Sequence, residues 1–231
     1  MLAIIIPYYK LTFFEDTLES LANQTDKLFK VYIGDDASPE NPSDLLEKYQ
    51  GQFDFVYHQF DENLGGLSLV KQWERCIALT GKEEWLMILG DDDVLGENVV
   101  ESFYENLPEV EMEGINVVRF ATQKINGEGN SISDIYMHPK IEKSVDFFFR
   151  GVRSSLSEYV FKKGKILEVE FKNFPLAWYS DVLAVLEFSD FIAIFTINEA
   201  HVYVRITNQS ISGKQDNFNL KSIAKFEFYH Y

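Results

Sequence analysis

Three consecutive carboxylates, Asp91, Asp92 and Asp93, follow the apolar run Trp85 to Leu89 and a single glycine, Gly90. Adjacent anions repel one another, so such a cluster costs stability unless solvent or a cation relieves it. Mg²⁺ and Mn²⁺ take oxygen ligands, and Mg²⁺ typically sits between one or two carboxylates and a substrate's phosphates. A second acidic pair, Asp35-Asp36, follows the apolar stretch Phe29 to Ile33 and Gly34. The chemistry these residues offer is metal-assisted handling of a phosphorylated ligand. The plainer alternative is a solvated acidic turn with Asp93 near a helix N-terminus.

Those carboxylates need a scaffold that carries them to one place. Leu2 to Pro7 is a continuous apolar run and reads as a buried strand. Phe14, Leu18 and Leu21 at i, i+4 and i+7 predict a helix. Phe29 to Ile33 is the second strand, and Leu45, Leu46 and Tyr49 share one side of the next helix. Phe53 to Tyr57 is the third strand, closed by the polar loop Asp61 to Gly66. Val70, Trp73 and Ile77 mark a helix with Gly81 at its C-cap, and Val99, Phe103 and Leu107 mark another that stops before Pro108. Strand and helix thus alternate four times over residues 1–107, which predicts an α/β fold with a doubly wound, mainly parallel sheet. Ligands of such sheets bind beyond the carboxyl ends of the strands, where strand order reverses. Both acidic sites fall at carboxyl ends, so the fold would bring them to one rim.

The second half is less regular. Ile115 to Ala121 reads as a strand, Asn126-Gly127 as a hairpin turn, and Glu142 to Gly151 as a short helix. Tyr159 to Phe161 and Ile166 to Phe171 read as strands, and Pro175 to Phe188 as a helix. Two further strands, Ile192 to Ile197 and Ala200 to Ile206, precede an apolar helix from Leu220 to Tyr231 that lacks a cap. That end points to a truncation or an interface. No repeat or linker interrupts the chain, so a single domain over 1–231 is expected, with 1–107 as the ligand-binding half and 108–231 beside it.

Composition sets exclusions. A chain of 231 residues, 46% of them hydrophobic, can bury a sizeable core. A formal net charge of -16 argues against nucleic acid as a partner. The lone cysteine, Cys76, removes any internal disulfide and any cysteine-cluster metal site. No signal peptide and no transmembrane run is legible, so a cytoplasmic protein is expected. Asn63-Leu64-Gly65-Gly66 lacks the lysine of a phosphate-binding P-loop, and no Gly-x-Gly-x-x-Gly follows the first strand. No Gly-x-Ser-x-Gly elbow is present, and His58, His138, His201 and His230 have no metal-ligand spacing.

Four stretches in order carry a resemblance: Ile5-Ile6-Pro7-Tyr8-Tyr9, Asp35-Asp36-Ala37-Ser38, Asn63-Leu64-Gly65 and Gly90-Asp91-Asp92-Asp93. The chain resembles the family 2 glycosyltransferases of the GT-A fold, bacterial enzymes that build surface polysaccharides. The resemblance covers residues 1–107 well and the remainder loosely. It implies a metal-dependent, inverting transfer of a sugar from a nucleoside diphosphate sugar, a UDP-sugar first among these, to a hydroxyl of a glycan or lipid-linked glycan. It implies a divalent cation, Mn²⁺ or Mg²⁺, and leaves room for a cytoplasmic protein to make peripheral contact with the inner face of the membrane.

Residue by residue, the resemblance gives Asp35 and Asp36 to the nucleobase and ribose, and sets Pro7, Tyr9, Asn63 and Gly65 around the nucleotide-sugar. It gives Asp91 to the ribose or sugar and the cation to Asp92, with Asp93 as the other candidate. Arg205, in Val202-Tyr203-Val204-Arg205 with Ser210 beyond it, matches a late arginine that helps cover the diphosphate. Asp181 matches the general base, with Trp178 and Tyr179 as a sugar-stacking wall and Asp146 and Glu158 as substitutes. The chain departs from the family at Lys10, where Asn is frequent, at Gly90, where many members carry the first Asp, and at Ser180, which replaces a Glu. Two other readings compete. A nucleotidyltransferase also uses acidic metal sites, but carries a glycine- and basic-rich loop that Pro7-Tyr8-Tyr9-Lys10 does not supply. A non-catalytic acidic module for metal or carbohydrate would bind a cation without any nucleotide.

Overall fold

The computed structural model describes residues 1–150, 154–208, 210–214 and 216–231. In chain order the elements are β1 (Leu2–Tyr8), α1 (Phe14–Ala22), β2 (Phe29–Asp35), α2 (Ser43–Lys48), β3 (Asp54–Gln59), α3 (Leu69–Ile77), β4 (Trp85–Ile88), β5 (Val94–Leu95) and α4 (Val99–Met112). There follow β6 (Val117–Ile125), β7 (Ile141–Lys143), α5 (Ser144–Phe149), β8 (Tyr159–Lys162), α6 (Lys163–Val169), α7 (Ser180–Phe188), β9 (Ala193–Arg205) and α8 (Phe218–His230). One sheet runs β3-β2-β1-β4-β8-β6-β9-β5, with β7 also on β9. The pairs among β1, β2, β3 and β4 are parallel, as is β6 with β9, and most paired residues of the sheet lie in these ladders. β8 enters antiparallel between β4 and β6, and β5 and β7 are antiparallel to β9. The expected α/β fold, doubly wound about a mainly parallel sheet, is the fold observed.

Alternation along each strand sends side chains to two separate cores. Leu2, Ile4, Ile6 and Tyr8 of β1 pack with α1, α2 and α4 on one face. Ala3 and Ile5 pack with α3, α5, α6, α7 and α8 on the other. Both faces of β1 and β4 are therefore covered, which is why their sequences are unbroken apolar runs. Beyond them, Arg119 of β6 and Glu142 of β7 form a buried ion pair at 2.8 Å. Thr196 of β9 accepts a further bond from the same guanidinium, stitching three strands together.

Several boundaries differ from expectation for physical reasons. α4 runs through Pro108 to Met112. A proline inside a helix costs about 3 kcal/mol. Continuing past it buries Val110, a gain of about 1.5–3 kcal/mol before its neighbours are counted. α3 ends at Ile77, with Ala78 rather than Gly81 in the cap position. The stretch expected as a strand from Ile166 to Phe171 is mostly helix α6, of which only Ile166 is buried. The helix expected from Pro175 starts at Ser180, after a turn with left-handed residues. The two late strands are one long strand, β9, with a register shift opposite Phe120 and Ala121. Asn126-Gly127 does turn the chain, and the returning arm bridges Ile125 to Ser131 and Thr122 to Tyr136. The far end of the helix expected from Glu142 to Gly151 lies outside the described residues. No helix among the described residues is long and apolar enough to cross a membrane.

Candidate active site

The chain moves outward from β1 to β2 and β3, then returns to lay β4 on the other side of β1. Strand order reverses between β1 and β4, and a cleft of about 480 Å³ opens at their carboxyl ends. Pro7, Tyr9, Lys10, Gly90, Asp91 and Asp92 form its floor, and Trp178, Tyr179 and Asp181 line it from the second half of the chain. Pro7, Tyr9, Asp91, Asp92 and Asp181 are thus gathered as the sequence predicts. Asp35, Asp36, Asn63, Gly65, Asp93 and Arg205 do not line the cleft, and neither do Asp146 and Glu158.

The three adjacent carboxylates have three different environments. Asp91 Oδ2 accepts from the backbone N–H groups of Tyr9 at 2.8 Å and Lys10 at 2.9 Å, which ties the acidic turn to the end of β1. Asp93 is buried: its Oδ1 accepts from the Arg205 N–H at 2.9 Å, and its Oδ2 accepts from the Ser157 hydroxyl. Asp92 lines the cleft, and no other group among the described residues donates a hydrogen bond to its carboxylate. Gly90 allows this arrangement, because a Cβ there would stand 3.0 Å from Asp92 Oδ1 and 3.2 Å from Asp93 Oδ2.

Burial pushes all three acids upward, and their mutual repulsion adds to it. Asp91 is raised to about 6, by burial and then by Asp92. Asp92 is raised to about 7, by burial and then by Asp93. Asp93 is raised to about 6 by burial, against the bonds from Ser157 and Arg205 that hold it down. Protons relieve the cluster when nothing else does. No group of three or more His, Cys, Asp or Glu side chains among the described residues forms a complete cage for a metal. The donor set instead suits a cation that takes one or two carboxylates here and its remaining oxygens from a phosphorylated ligand and water.

Arg205 is only 2% exposed and its guanidinium is fully engaged. It donates to the carbonyl oxygens of Asp92 (2.9 Å), Asn126 (3.0 Å) and Gly127 (3.1 Å), pairs with Asp16 at 2.6 Å, and stacks 4.4 Å above the Phe13 ring. It therefore braces the floor from behind. Asp35 accepts from the Ser38 N–H at 2.7 Å and the Tyr57 hydroxyl at 2.5 Å. Asp36 accepts from the N–H groups of Leu64 (2.7 Å) and Gly65 (2.9 Å) and pairs with Arg75. A Cβ on Gly65 would meet Asp36 Oδ2 at 2.5 Å, so the loop can close on that carboxylate only with glycine there. Asn63 Oδ1 accepts from Gly66 N–H at 2.6 Å within the same loop.

Across the cleft, Asp181 sits half-buried in the first turn of α7. Burial raises its pKa above the usual range, against the Ser154 hydroxyl bonded to it. The preceding wall is strained: Leu176, Ala177 and Tyr179 have φ of 59°, 53° and 72° without being glycines. Such conformations cost of order 1–3 kcal/mol each and persist where surrounding packing enforces them. Here α8 supplies that packing, with Phe228 stacked 4.8 Å from the Tyr179 ring and edge-on to Phe174 at 6.1 Å. The sequence reading missed Ser154, Ser157 and Trp73, which also line the cleft. Only the strand register points to Ser157: Leu86 pairs with Phe161 and Met87 with Val160, so extending the ladder sets Gly90 opposite Ser157.

Residues 3–165 match the family model described as Glycosyl transferase family 2. Glycosyltransferase GlyG of Streptococcus pneumoniae is 24% identical over 110 residues, which are 47% of this chain and 36% of that protein. Among solved structures, S. aureus TarS 1–349 in complex with UDP-GlcNAc superposes with a TM-score of 0.73 at 15% identity, over 98% of this chain and 66% of that one. TarS 1–349 in complex with UDP gives 0.70 at 16% identity, over 98% and 64%. The chain therefore spans about a third of the pneumococcal relative and somewhat less than two thirds of the TarS fragment, whose likeness bears on the fold. With a family model matched over more than half its length, the chain belongs to glycosyl transferase family 2.

Proposed function

We propose that this protein transfers a sugar, with inversion, from a nucleoside diphosphate sugar to a hydroxyl of a glycan or lipid-linked glycan. Surface polysaccharide synthesis on the cytoplasmic side is the setting that fits this reading. One observation carries it: Asp91 and Asp92 at the carboxyl ends of β1 and β4 share a single cleft with Asp181. The structurally similar TarS complexes with UDP-GlcNAc and with UDP support a UDP-sugar as donor. Asp92 would hold a divalent cation, Mn²⁺ or Mg²⁺, and Asp91, fixed by Tyr9 and Lys10, would orient the donor. Such a cation supplies Lewis-acid stabilisation of the departing diphosphate. Asp181 takes the proton from the acceptor hydroxyl as its oxygen bonds to the anomeric carbon and the bond from that carbon to the diphosphate breaks. Trp178 and Tyr179 offer ring faces for sugar, while Pro7 and Tyr9 flank the donor. Asp36 fixes the Asn63–Gly66 loop from within, Asp35 is tied to Ser38 and Tyr57, and Arg205 acts on the diphosphate through the floor it braces.

The test is calorimetric titration with UDP in Mn²⁺ and in EDTA, followed by a screen of nucleotide sugars for donor hydrolysis. Binding should be at least tenfold tighter with Mn²⁺. Equal affinity in the two conditions would remove the acidic turn from donor binding.

A further inference from the structure

We infer that Ser157 is a positioning residue for the acidic turn: its hydroxyl closes the Gly90–Asp93 turn and so aims Asp92 into the cleft. The inference rests on the reading of Asp92 as the residue that holds the cation. Ser157 lies in the turn before β8 and is 4% exposed. Its oxygen accepts from the Gly90 N–H at 3.1 Å and donates its proton to Asp93 Oδ2. The two ends of the turn therefore meet on one hydroxyl, while the Asp93 N–H returns to the Gly90 carbonyl at 3.3 Å. The other oxygen of Asp93 is occupied by the Arg205 N–H at 2.9 Å. With one oxygen on the turn before β8 and the other on β9, Asp93 is a buried strut rather than a ligand. Asp92, between the two fixed ends, is left facing the open side.

Removing the hydroxyl strands a part-buried N–H and a buried carboxylate oxygen together. Asp93 is then free to turn, and Asp92 loses the frame that aims it. Groups that orient a metal-binding side chain typically matter by 10–100-fold in metal affinity. A serine that merely filled space would affect folding stability alone.

The experiment measures Mn²⁺ affinity by calorimetry in saturating UDP, and UDP affinity in EDTA, on the full chain. Ser157→Ala should weaken Mn²⁺ binding by about 10–100-fold, with UDP affinity in EDTA within about twofold of wild type. Ser157→Thr, which restores the hydroxyl, should recover most of the loss. Ser157→Cys, a weaker donor of similar shape, should fall between and serves if the threonine methyl is not accommodated. A Ser157→Ala protein that melts earlier but binds Mn²⁺ like wild type would overturn the inference, as would equal Mn²⁺ affinity in the alanine and cysteine variants. Asp92→Asn separates the two levels. If it keeps wild-type Mn²⁺ dependence, the reading of Asp92 fails. If it loses that dependence while Ser157→Ala does not, only the inference about Ser157 fails.

Discussion

A cation that binds Asp92 has to displace the proton that burial and Asp93 keep there, and this gives the affinity a definite pH dependence. With Asp92 at about 7, its ionised fraction falls from roughly three quarters at pH 7.5 to roughly 3% at pH 5.5. Mn²⁺ affinity measured with UDP-GlcNAc should therefore drop about 25-fold over that interval, whereas an ordinary carboxylate near 3.9 would give almost no change. UDP-GlcNAc is the better probe because neither of its phosphates carries a second ionisation in this range. Calorimetry at pH 6.5 in buffers of different ionisation enthalpy should register about three quarters of a proton released per Mn²⁺ bound. Stability supplies a second readout of opposite sign. The folded pKa values of Asp91, Asp92 and Asp93 lie above their unfolded values, so the folded state binds more protons between about pH 4 and pH 7. The contribution of the cluster is complete below pH 4 and is lost as pH rises through 6 to 7. The metal-free melting temperature should accordingly decline over that window, and Mn²⁺ should restore most at pH 8. Constant Mn²⁺ affinity from pH 7.5 to 5.5 with no proton release would refute the assignment of Asp92.

Two further outcomes follow from the geometry. Asp181→Asn keeps the shape of the side chain and removes its basicity, so donor and cation binding should persist while transfer to acceptor falls about 10²-fold or more; near-normal turnover would remove Asp181 as base. Arg205→Met deprives the carbonyl oxygens of Asp92, Asn126 and Gly127 of their donor, at about 1 kcal/mol each, so urea denaturation should show a loss of about 3 kcal/mol. A loss below about 1 kcal/mol would mean water replaces those bonds without cost.

The first half of the fold was legible because its strands are buried on both faces. Leu2–Pro7, Phe29–Ile33 and Trp85–Leu89 have no polar residue to place toward solvent except Lys30 and Tyr32, and their alternation with helices left little choice of topology. The rim holding Asp91, Asp92, Pro7 and Tyr9 followed from that topology. Features made by long-range contact were not legible. Pro108 was overridden by the burial of Val110, and the turn at Leu176 to Tyr179 is held by Phe228, some fifty positions later. Asp35, Asp93 and Arg205 carry the right chemistry for a ligand, yet their partners are supplied by other segments of the chain. Residue type could indicate that these groups need a partner, but not whether the partner is protein or substrate.

The floor of the cleft depends on residues made long after it. Asp93 and Arg205 are separated by 112 positions, and Arg205 reaches Asp16 across 189. At a synthesis rate of about 5–20 residues per second, the acidic turn waits roughly 6–22 s for the strand that clamps it. Until β8 arrives, β4 presents an apolar edge, Trp85 to Ile88, with unpaired backbone groups, a template for pairing with another chain. A ribosome stalled between these points would hold a nascent chain that is sticky as well as lacking the clamp on its acidic turn, which makes translation speed over residues 94–205 a determinant of yield.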